Sequence, residues 1–235
     1  MIISFDMGRS SFIYGPLAKF YERFMSPRYK AALERFFREF YLGSGKLRIL
    51  DAGCGTGIIS FALSDKSKEI SVVAFDQSCD MLKVAEKTKK TRRELDLLYR
   101  RVKSSGEYKR NYHVEFYLGN IESPSSLESL DGRVLNLEEN SFDYVVVSGA
   151  LEHVDLDKGV SELVKYVRKE GSLIDLGVRN NFFGKRLGNA YGFKPYSKED
   201  IVDAFEKAGL ATIREIPIKE KRLARFRIAI KGIKV

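Results

Sequence analysis

Dense apolar segments alternate with segments of helical periodicity along most of the chain. Five of these apolar segments have the continuous hydrophobic character of strands that are buried on both faces, at residues 47–53, 70–76, 114–118, 142–148 and 172–178. Helical patterns between strands indicate a parallel sheet that is covered by helices on both sides. Two later segments, ATIREIPI and RFRIAIKGI, alternate between apolar and polar residues and are expected to close the sheet as antiparallel strands. The pattern therefore predicts an α/β fold with a mostly parallel, seven-stranded sheet.

Residues that start and stop helices support this division. Asp155 is suited to cap a helix that we expect to end at Gly171, and whose apolar face consists of Leu156, Val160, Leu163, Val164 and Val167. Ser197 and Asp200 have the spacing of a capping box, and Gly209 is placed to end the helix that they begin. Both helices are predicted to pack on the sheet.

The two ends of the chain differ in character. Residues 1–45 are aromatic-rich with helical spacings, divided at Pro27, and we predict that they form an N-terminal helical cap. Residues 46–235 are predicted to form the sheet domain. Within it, the strongly basic segment 87–112 has weaker periodicity and is interpreted as a helix extended by an inserted basic segment.

Composition narrows the class of protein. Hydrophobic residues make up 44% of the chain, which is typical of a folded globule. An apolar run of about twenty residues is absent from the sequence, so a membrane span is not expected. The N-terminus does not resemble a signal peptide, and two cysteines are too few for a disulfide framework or a four-cysteine zinc site. We therefore expect a cytoplasmic protein, and we predict no metal site.

The net charge of +9 is unevenly distributed. Lys and Arg dominate residues 86–110 and 210–235, whereas residues 115–143 are acidic. Basic patches of this kind attract anionic partners or nucleic acid. The alternative is a solvated charged surface, and we favour it because no RNA-binding motif accompanies the charge.

The segment ILDAGCGTG, residues 49–57, carries the most specific signal. It places Asp51 at the end of a buried strand and three glycines in the turn that follows, where the backbone can approach a ligand closely. A dinucleotide fingerprint that begins at Gly53 would need glycine at position 58, which is Ile58. The phosphate-loop pattern also fails, because it lacks Gly-Lys-Ser/Thr. Asp76 ends the second strand, where its carboxylate can accept hydrogen bonds from both hydroxyls of a ribose.

These segments together resemble the class I S-adenosylmethionine-dependent methyltransferases, nearest to the ubiquinone/menaquinone-biosynthesis type (type 11). The resemblance covers roughly Leu47 to Gly209, and its motifs are ILDAGCGTG, AFDQS with Met81 following, YLGNIES, SFDYVVVSGALEHV and VRKEGSLI. It implies a Rossmann-like fold, S-adenosylmethionine as the cofactor and methyl transfer to an acceptor.

The resemblance also implies a role for each matching position. Asp51, Gly53, Cys54, Gly55 and Gly57 would contact the methionine part of the cofactor. Asp76 would hold the ribose, while the adenine would be bordered by Gln77, Met81, Asn120 and Ile121. Ser148 and Gly149 would line the floor near the sulfonium. Asn120 replaces the aspartate that is usual in the family, and VRKEGS lacks the usual proline.

Candidate acceptor residues lie after the fourth strand and in two aromatic segments. His153 is a candidate general base, with Glu152 as a weaker one, although a packing or capping role for this histidine is the alternative. Tyr14 and Tyr21 in the cap, and Phe183 and Tyr191 in the segment 180–196, are candidates to contact the acceptor. We interpret 180–196 as a loop, either a mobile lid or an ordinary surface loop.

Three functions fit the sequence. The first is methylation of a small molecule, for example a quinone-like, phenolic or lipid acceptor. The second is methylation of RNA through the basic segments, and the third is binding of S-adenosylmethionine without catalysis. The fourth strand is followed by SGALEH rather than the N/D-P-P-Y turn of many base-amine methyltransferases, although other RNA methyltransferases also lack that turn. The sequence does not indicate the oligomeric state.

Overall fold

A computed structural model of the chain describes residues 27–102 and 113–235. The described strands are β1 (Leu47–Ala52), β2 (Ile70–Asp76), β3 (Val114–Leu118), β4 (Ser126–Glu128), β5 (Val134–Asn136), β6 (Phe142–Ser148), β7 (Val167–Val178), β8 (Leu210–Glu215) and β9 (Arg227–Lys234). The described helices are α1 (Pro27–Glu39), α2 (Ile58–Ser64), α3 (Cys79–Val102), α4 (Leu156–Val164), α5 (Phe182–Tyr191), α6 (Lys198–Lys207) and α7 (Lys221–Phe226). A short 3₁₀ turn, Leu151–His153, precedes α4.

The strands form one sheet in the order β5-β4-β3-β2-β1-β6-β7-β9-β8. The five central strands, β3, β2, β1, β6 and β7, are parallel, as the apolar segments predicted. The last two strands, β8 and β9, pair antiparallel at one edge, which confirms the two alternating segments as closing strands. The α/β class and the mostly parallel sheet are therefore confirmed.

The strand count of seven was wrong, because β4 and β5 add two antiparallel strands at the other edge. Each is only three residues long, too short to show a period-two pattern in the sequence. Both lie in the acidic segment between β3 and β6. They extend the sheet without changing the arrangement of its parallel centre.

The strands contribute side chains to a core on each face of the sheet. In β1, Leu50 and Ala52 belong to one cluster of buried residues, whereas Ile49 belongs to the other. This alternation follows from the period of two along a strand. Helix α1 shares the second cluster through Leu33 and Phe37, so this part of the predicted cap packs on the sheet domain. Residues 1–26 of the cap lie outside the described residues.

The predicted helix boundaries were largely correct. Asp155 caps α4 by accepting a hydrogen bond from the Lys158 amide at 2.9 Å. The helix ends at Val164, however, and β7 begins at Val167, so the predicted end at Gly171 was wrong. The chain turns early because the Tyr166 amide bonds to the Leu163 carbonyl. Before α6, the Ser197 and Asp200 capping box is present. Gly209 follows α6 at a φ of 84°.

Residues 180–196 are not a simple loop, because they contain α5. Asn181 caps this helix by accepting hydrogen bonds from the Phe183 and Gly184 amides. Two glycines lower the helix propensity of this segment, so the sequence does not predict the helix. Both glycines are buried where a Cβ would meet backbone: Gly184 lies against the Arg179 carbonyl and Gly188 against that of Phe193. The helix is therefore held close to the chain on either side of it.

The basic segment begins as helix, since α3 runs to Val102. Residues 103–112 lie outside the described residues. Among the helices of the described ranges, none combines the length and the apolar character that crossing a bilayer requires.

Candidate functional site

A cleft opens at the carboxyl ends of the parallel strands. The segments that follow β1, β2, β3 and β6 line it, at the point where the strand order reverses about β1. Nine of the twelve predicted cofactor residues lie on its surface: Gly53, Gly55, Asp76, Gln77, Met81, Asn120, Ile121, Ser148 and Gly149. The remaining wall consists of Phe75, Ser78, Gly119, Ala150, His153 and Val154.

Asp76 lies at the end of β2 on the surface of this cleft, where its neighbours fix the carboxylate. One carboxylate oxygen accepts the Gly55 amide and the other accepts the Ser78 amide, each at 2.8 Å. Burial raises the pKa of Asp76 above its ordinary value, and these two amides oppose that change. A carboxylate has lone pairs for about four hydrogen bonds, so each oxygen keeps capacity for a ligand hydroxyl. The carboxylate is thus prepared to bind two adjacent hydroxyls.

The turn after β1 reaches the cleft through Gly53. Its φ is 70°, and its amide donates to the Phe75 carbonyl at 2.8 Å. A Cβ at this position would overlap the Cβ of Ala150, which follows β6. The absence of a side chain at Gly53 therefore allows the β1 and β6 turns to meet at the floor of the cleft.

We expect Gly53→Ala to lower the thermal stability of the chain and to weaken ligand binding in the cleft. The positive φ costs about 1–2 kcal/mol for alanine, and the contact with Ala150 adds to it. At this chain length the midpoint of thermal unfolding should fall by several degrees. Gly132→Ala is the control, since it also has a positive φ but meets no atom within 4 Å. An equal loss in both variants would contradict the role of close approach.

Three of the predicted cofactor residues do not line the cleft. Asp51 is buried and accepts a hydrogen bond from the Ser60 hydroxyl of α2 at 2.5 Å. Burial, and secondarily the charge of Asp76, raise the pKa of Asp51 to about 7 against the opposing Ser60 hydrogen bonds. Gly57 precedes α2 at a φ of 79°, where a Cβ would meet the ring of Phe116. The absence of a side chain at Gly57 therefore leaves room for the Phe116 ring beside this turn.

Cys54 is half-buried in the same turn and packs against the core. Burial raises the pKa of its thiol well above the ordinary value, with smaller contributions from two nearby carboxylates. A thiol of this kind stays protonated at neutral pH, which suits a small packing residue rather than a nucleophile.

The other side of the cleft is less polar. Met81 is almost completely buried, and Ile121 lines the cleft from the segment after β3. The side-chain carbonyl of Asn120 accepts the Glu122 amide at 2.9 Å, which leaves its amide nitrogen as a hydrogen-bond donor. Two apolar side chains and one amide form a suitable border for a purine ring.

His153 and Val154 line the cleft after β6, which lies two strands from β2 and Asp76 in the sheet, and we call this part of the cleft the His153 end. Its ring makes an edge contact with Phe193, with 5.1 Å between ring centres. The Tyr196 hydroxyl donates to the Val154 carbonyl at 2.9 Å and holds the segment after α5 against this end. Burial lowers the pKa of His153 below its ordinary value, although the charge of Glu152 opposes the change. The imidazole is therefore mainly neutral at pH 7 and able to accept a proton.

Glu152 lies behind this end of the cleft and not on its surface. It is 8% exposed, and one carboxylate oxygen accepts the Val178 amide at the end of β7. Buried beside it are Asp175 of β7 and Arg227 of β9. Burial and the charge of Glu152 raise the pKa of Asp175 well above its ordinary value, while the Arg227 charge opposes this.

Sequence reasoning missed Asp175 and Arg227. The guanidinium of Arg227 occupies the position that a Cβ of Gly149 would take, directly below the floor of the cleft. It also donates to the Tyr29 hydroxyl of α1 at 2.6 Å. The aspartate could have been recognised as the one charged residue in the apolar segment SLIDLGV.

The predicted acceptor residues do not gather at the cleft. Phe183 lies on α5 between the rings of Phe182 and Phe226, and the Arg225 guanidinium is 3.7 Å from its ring centre. Tyr191 ends the same helix, and neither it nor Phe183 lines the cleft. Tyr14 and Tyr21 lie outside the described residues.

The chemistry of the cleft fits an adenosyl sulfonium. Asp76 offers a carboxylate to a ribose, and Met81 and Ile121 offer apolar contact to an adenine. The carboxylates of Asp51 and Asp76, close to one another at the β1 and β2 ends, favour a ligand with positive charge.

Comparisons with known proteins agree with this geometry. The family model described as a methyltransferase domain matches residues 50–175, which is more than half of the chain. A curated relative, the demethylmenaquinone methyltransferase of Leptospira interrogans, is 27% identical over 154 residues. That match covers 64% of this chain and 51% of the relative, so the chain spans about half the length of the curated relatives that it matches.

Solved structures share the fold. An S-adenosylmethionine-dependent methyltransferase from Thermotoga maritima has a TM-score of 0.63 at 20% identity, covering 96% of this chain and 100% of that one. The phosphoethanolamine N-methyltransferase 2 of Haemonchus contortus, solved with S-adenosyl-L-methionine, has a TM-score of 0.59 at 16% identity. The match covers 93% of this chain and 60% of that one.

Proposed function

Because this chain belongs to the class I S-adenosylmethionine-dependent methyltransferases of type 11, we propose that it methylates a small-molecule acceptor bound beside His153. S-adenosylmethionine is the cofactor, and it supplies an electrophilic methyl group on a sulfonium. The observation that carries the proposal is the single cleft that joins the Asp76 end to the His153 end. A nucleoside and a second molecule can therefore meet within it.

The residues of the cleft contribute mainly alignment. Asp76 and the Gly53 turn hold one end of the site, and Ser148 and Gly149 form the floor between the two ends. Holding two reactants in line can supply several kcal/mol of rate acceleration. A base is needed only where the acceptor must lose a proton.

His153 is proposed as that base. Its lowered pKa leaves it neutral at pH 7, and Phe193 and the Tyr196 hydrogen bond fix the surrounding wall. A neutral imidazole in a partly buried site can accept a phenolic or similar proton. Glu152, whose carboxylate is bonded to the Val178 amide, would act by keeping this turn in place.

A flat, largely apolar acceptor fits this end of the cleft best. Ala150 and Val154 are apolar, and the one titratable side chain among the lining residues here is His153. The curated relative is named for methylation of demethylmenaquinone, a quinone-type acceptor. We therefore propose a phenolic or quinone-like acceptor for this chain.

Incubation with cell extract and S-adenosylmethionine labelled in its methyl group tests the proposal. The label should appear in the fraction that an organic solvent extracts, and not in the protein or RNA fractions. Label in RNA alone would replace the small-molecule acceptor by nucleic acid. Binding of the cofactor with no labelled product in any fraction would contradict catalysis.

Replacing His153 with Gln is expected to lower kcat/KM by about 100-fold or more, since general bases contribute on that scale. The wild-type rate should fall as pH drops through the pKa of His153, which lies below 6.5. The variant should lose this acidic limb. Wild-type activity in the variant between pH 5 and pH 9 would exclude the base. Replacing the exposed His113, which precedes β3, with Gln is the control.

A further inference from the structure

The exposed side of α5 combines an aromatic ring with positive charge. Its exposed residues recur with the spacing of one helical face and are Phe182, Lys185, Arg186, Asn189 and Ala190. Phe182 has 71% of its surface in contact with water. The helix sequence, FFGKRLGNAY, contains no carboxylate. This face therefore presents an exposed apolar ring beside two cations that are not balanced by an acid on the same helix.

Helix α7 extends this surface. It packs beside α5, where the Asn181 amide nitrogen donates to the Arg225 carbonyl at 3.0 Å. Its exposed side chains are Lys221, Arg222 and Arg225. The carboxylate of Glu220 caps α7 by accepting the Leu223 amide. We define the α5–α7 surface as Phe182, Lys185, Arg186, Lys221, Arg222 and Arg225.

The α5–α7 surface borders the acceptor end of the cleft. Val178 ends β7 and its amide bonds to Glu152, next to His153. Phe182 follows four residues later, and four residues span at most about 14 Å. At the other end of α5, Gly188 lies against Phe193, whose ring contacts His153. Both ends of the helix are therefore connected to the wall that holds the candidate base.

We propose that the α5–α7 surface docks on an anionic lipid bilayer. Five exposed cations complement the negative charge of anionic headgroups. The exposed ring of Phe182 has no polar atom and gains by leaving water for the boundary of the acyl chains. RNA-binding surfaces usually present several aromatics along a groove. On the α5–α7 surface one ring is exposed, which favours the bilayer.

Docking would place the acceptor end of the cleft near the membrane. A lipid-soluble acceptor would then reach His153 from the bilayer without crossing water. This route rests on the proposed function, whereas the docking itself does not depend on methyl transfer.

Co-sedimentation of the full chain with lipid vesicles tests the docking. Wild-type protein should bind vesicles of equimolar phosphatidylglycerol and phosphatidylcholine at least 10-fold more tightly than vesicles of phosphatidylcholine alone, and high salt should weaken the binding. The double variant Lys185→Glu/Arg186→Glu should bind the anionic vesicles roughly 10-fold or more weakly. Phe182→Ser should bind them roughly 5-fold more weakly.

The matched control reverses two charges elsewhere. Lys46 and Lys68 are exposed and precede β1 and β2. They therefore lie at the amino ends of these parallel strands, whereas the cleft lies at the carboxyl ends. Lys46→Glu/Lys68→Glu should bind anionic vesicles like the wild type. Equal losses in the two double variants would overturn the proposal, because the attraction would then follow net charge alone. Binding of single-stranded RNA with no binding to anionic vesicles would also overturn it.

Cofactor affinity separates this result from the proposed function. Each variant should bind S-adenosylmethionine as the wild type does, which also shows that it is folded. Failure of vesicle binding with methyl transfer retained would remove the docking and leave the proposed function. Vesicle binding without methyl transfer would remove the proposed function and leave the docking.

Discussion

Asp76→Ala is expected to weaken binding of S-adenosylmethionine by about 100-fold or more, with the fold retained. The variant loses two hydrogen bonds between ligand hydroxyls and a charged group, and bonds of this kind contribute about 1.5–3 kcal/mol each. It also loses the carboxylate that holds the Gly55 and Ser78 amides. Calorimetric titration gives the dissociation constant, and thermal unfolding without ligand monitors the fold.

Two further variants make this prediction specific. Asp76→Asn keeps the size of the side chain but offers a single acceptor oxygen, so its affinity should lie between those of the wild type and Asp76→Ala. Asp80→Ala removes an exposed carboxylate four residues away and should leave the affinity unchanged. Unchanged affinity in Asp76→Ala, or an equal loss in Asp80→Ala, would show that the carboxylate does not bind the ribose.

Asp51→Asn is expected to change how stability and ligand affinity depend on pH. The pKa of Asp51 is about 7 in the folded chain, above the ordinary value of 3.8, so the folded state holds this proton more tightly than the unfolded state. Stability is therefore lost as pH rises from about 4 to 7, by an amount on the order of 4 kcal/mol. The asparagine variant cannot ionise, so over this pH range its midpoint of thermal unfolding should rise relative to that of the wild type by roughly 8–16 °C.

The affinity for the ligand should change with pH in the direction opposite to the stability. A cationic ligand favours the ionised form of Asp51, so wild-type affinity should rise as pH increases through 7, with release of a proton. Asp51→Asn should bind more weakly and with less change across pH 6 to 8. Ser60→Ala removes a hydrogen bond that lowers the pKa, so the wild-type rise should move to higher pH. A pH profile of stability shared by the wild type and Asp51→Asn would contradict the raised pKa.

The sequence was sufficient for the parallel centre of the fold, and nine of the twelve residues that it assigns to the cofactor line the cleft. Five strands buried on both faces leave a clear apolar signal, and Gly53 and Asp76 occupy turns whose chemistry is visible in the residues themselves. Asn120 and Ser148 were assigned to the cofactor by the resemblance to the family, and both line the cleft because the carboxyl ends of parallel strands lie on the same side of the sheet.

The acceptor end was less predictable because its structure depends on tertiary contacts. Helix α5 contains two glycines that weaken its helical pattern, yet those glycines allow it to pack against Arg179 and Phe193. The direction of each aromatic side chain follows from that packing, so Phe183 could not be recognised as a partner of Arg225. Buried Asp175 and Arg227 lie more than fifty residues apart along the chain and meet only in the folded sheet.

The side-chain direction of Asp51 was also not predictable from the sequence, although Asp51 lies in the specific motif ILDAGCGTG. The sequence places it at the end of β1, and the resemblance implies contact with the cofactor. In the fold, Ser60 of α2 holds the carboxylate below the turn, so its influence on a ligand would be electrostatic. That difference depends on the direction of one side chain, which residue spacing does not determine.

A crystal structure of the chain with S-adenosylhomocysteine tests the central claim most directly. We expect the nucleoside in the cleft, with both ribose hydroxyls within about 3.2 Å of the Asp76 carboxylate. The adenine should lie between Met81 and Ile121, and the sulfur should lie above Ser148 and Gly149. A cleft closed by side chains, or a nucleoside bound elsewhere on the chain, would contradict the account.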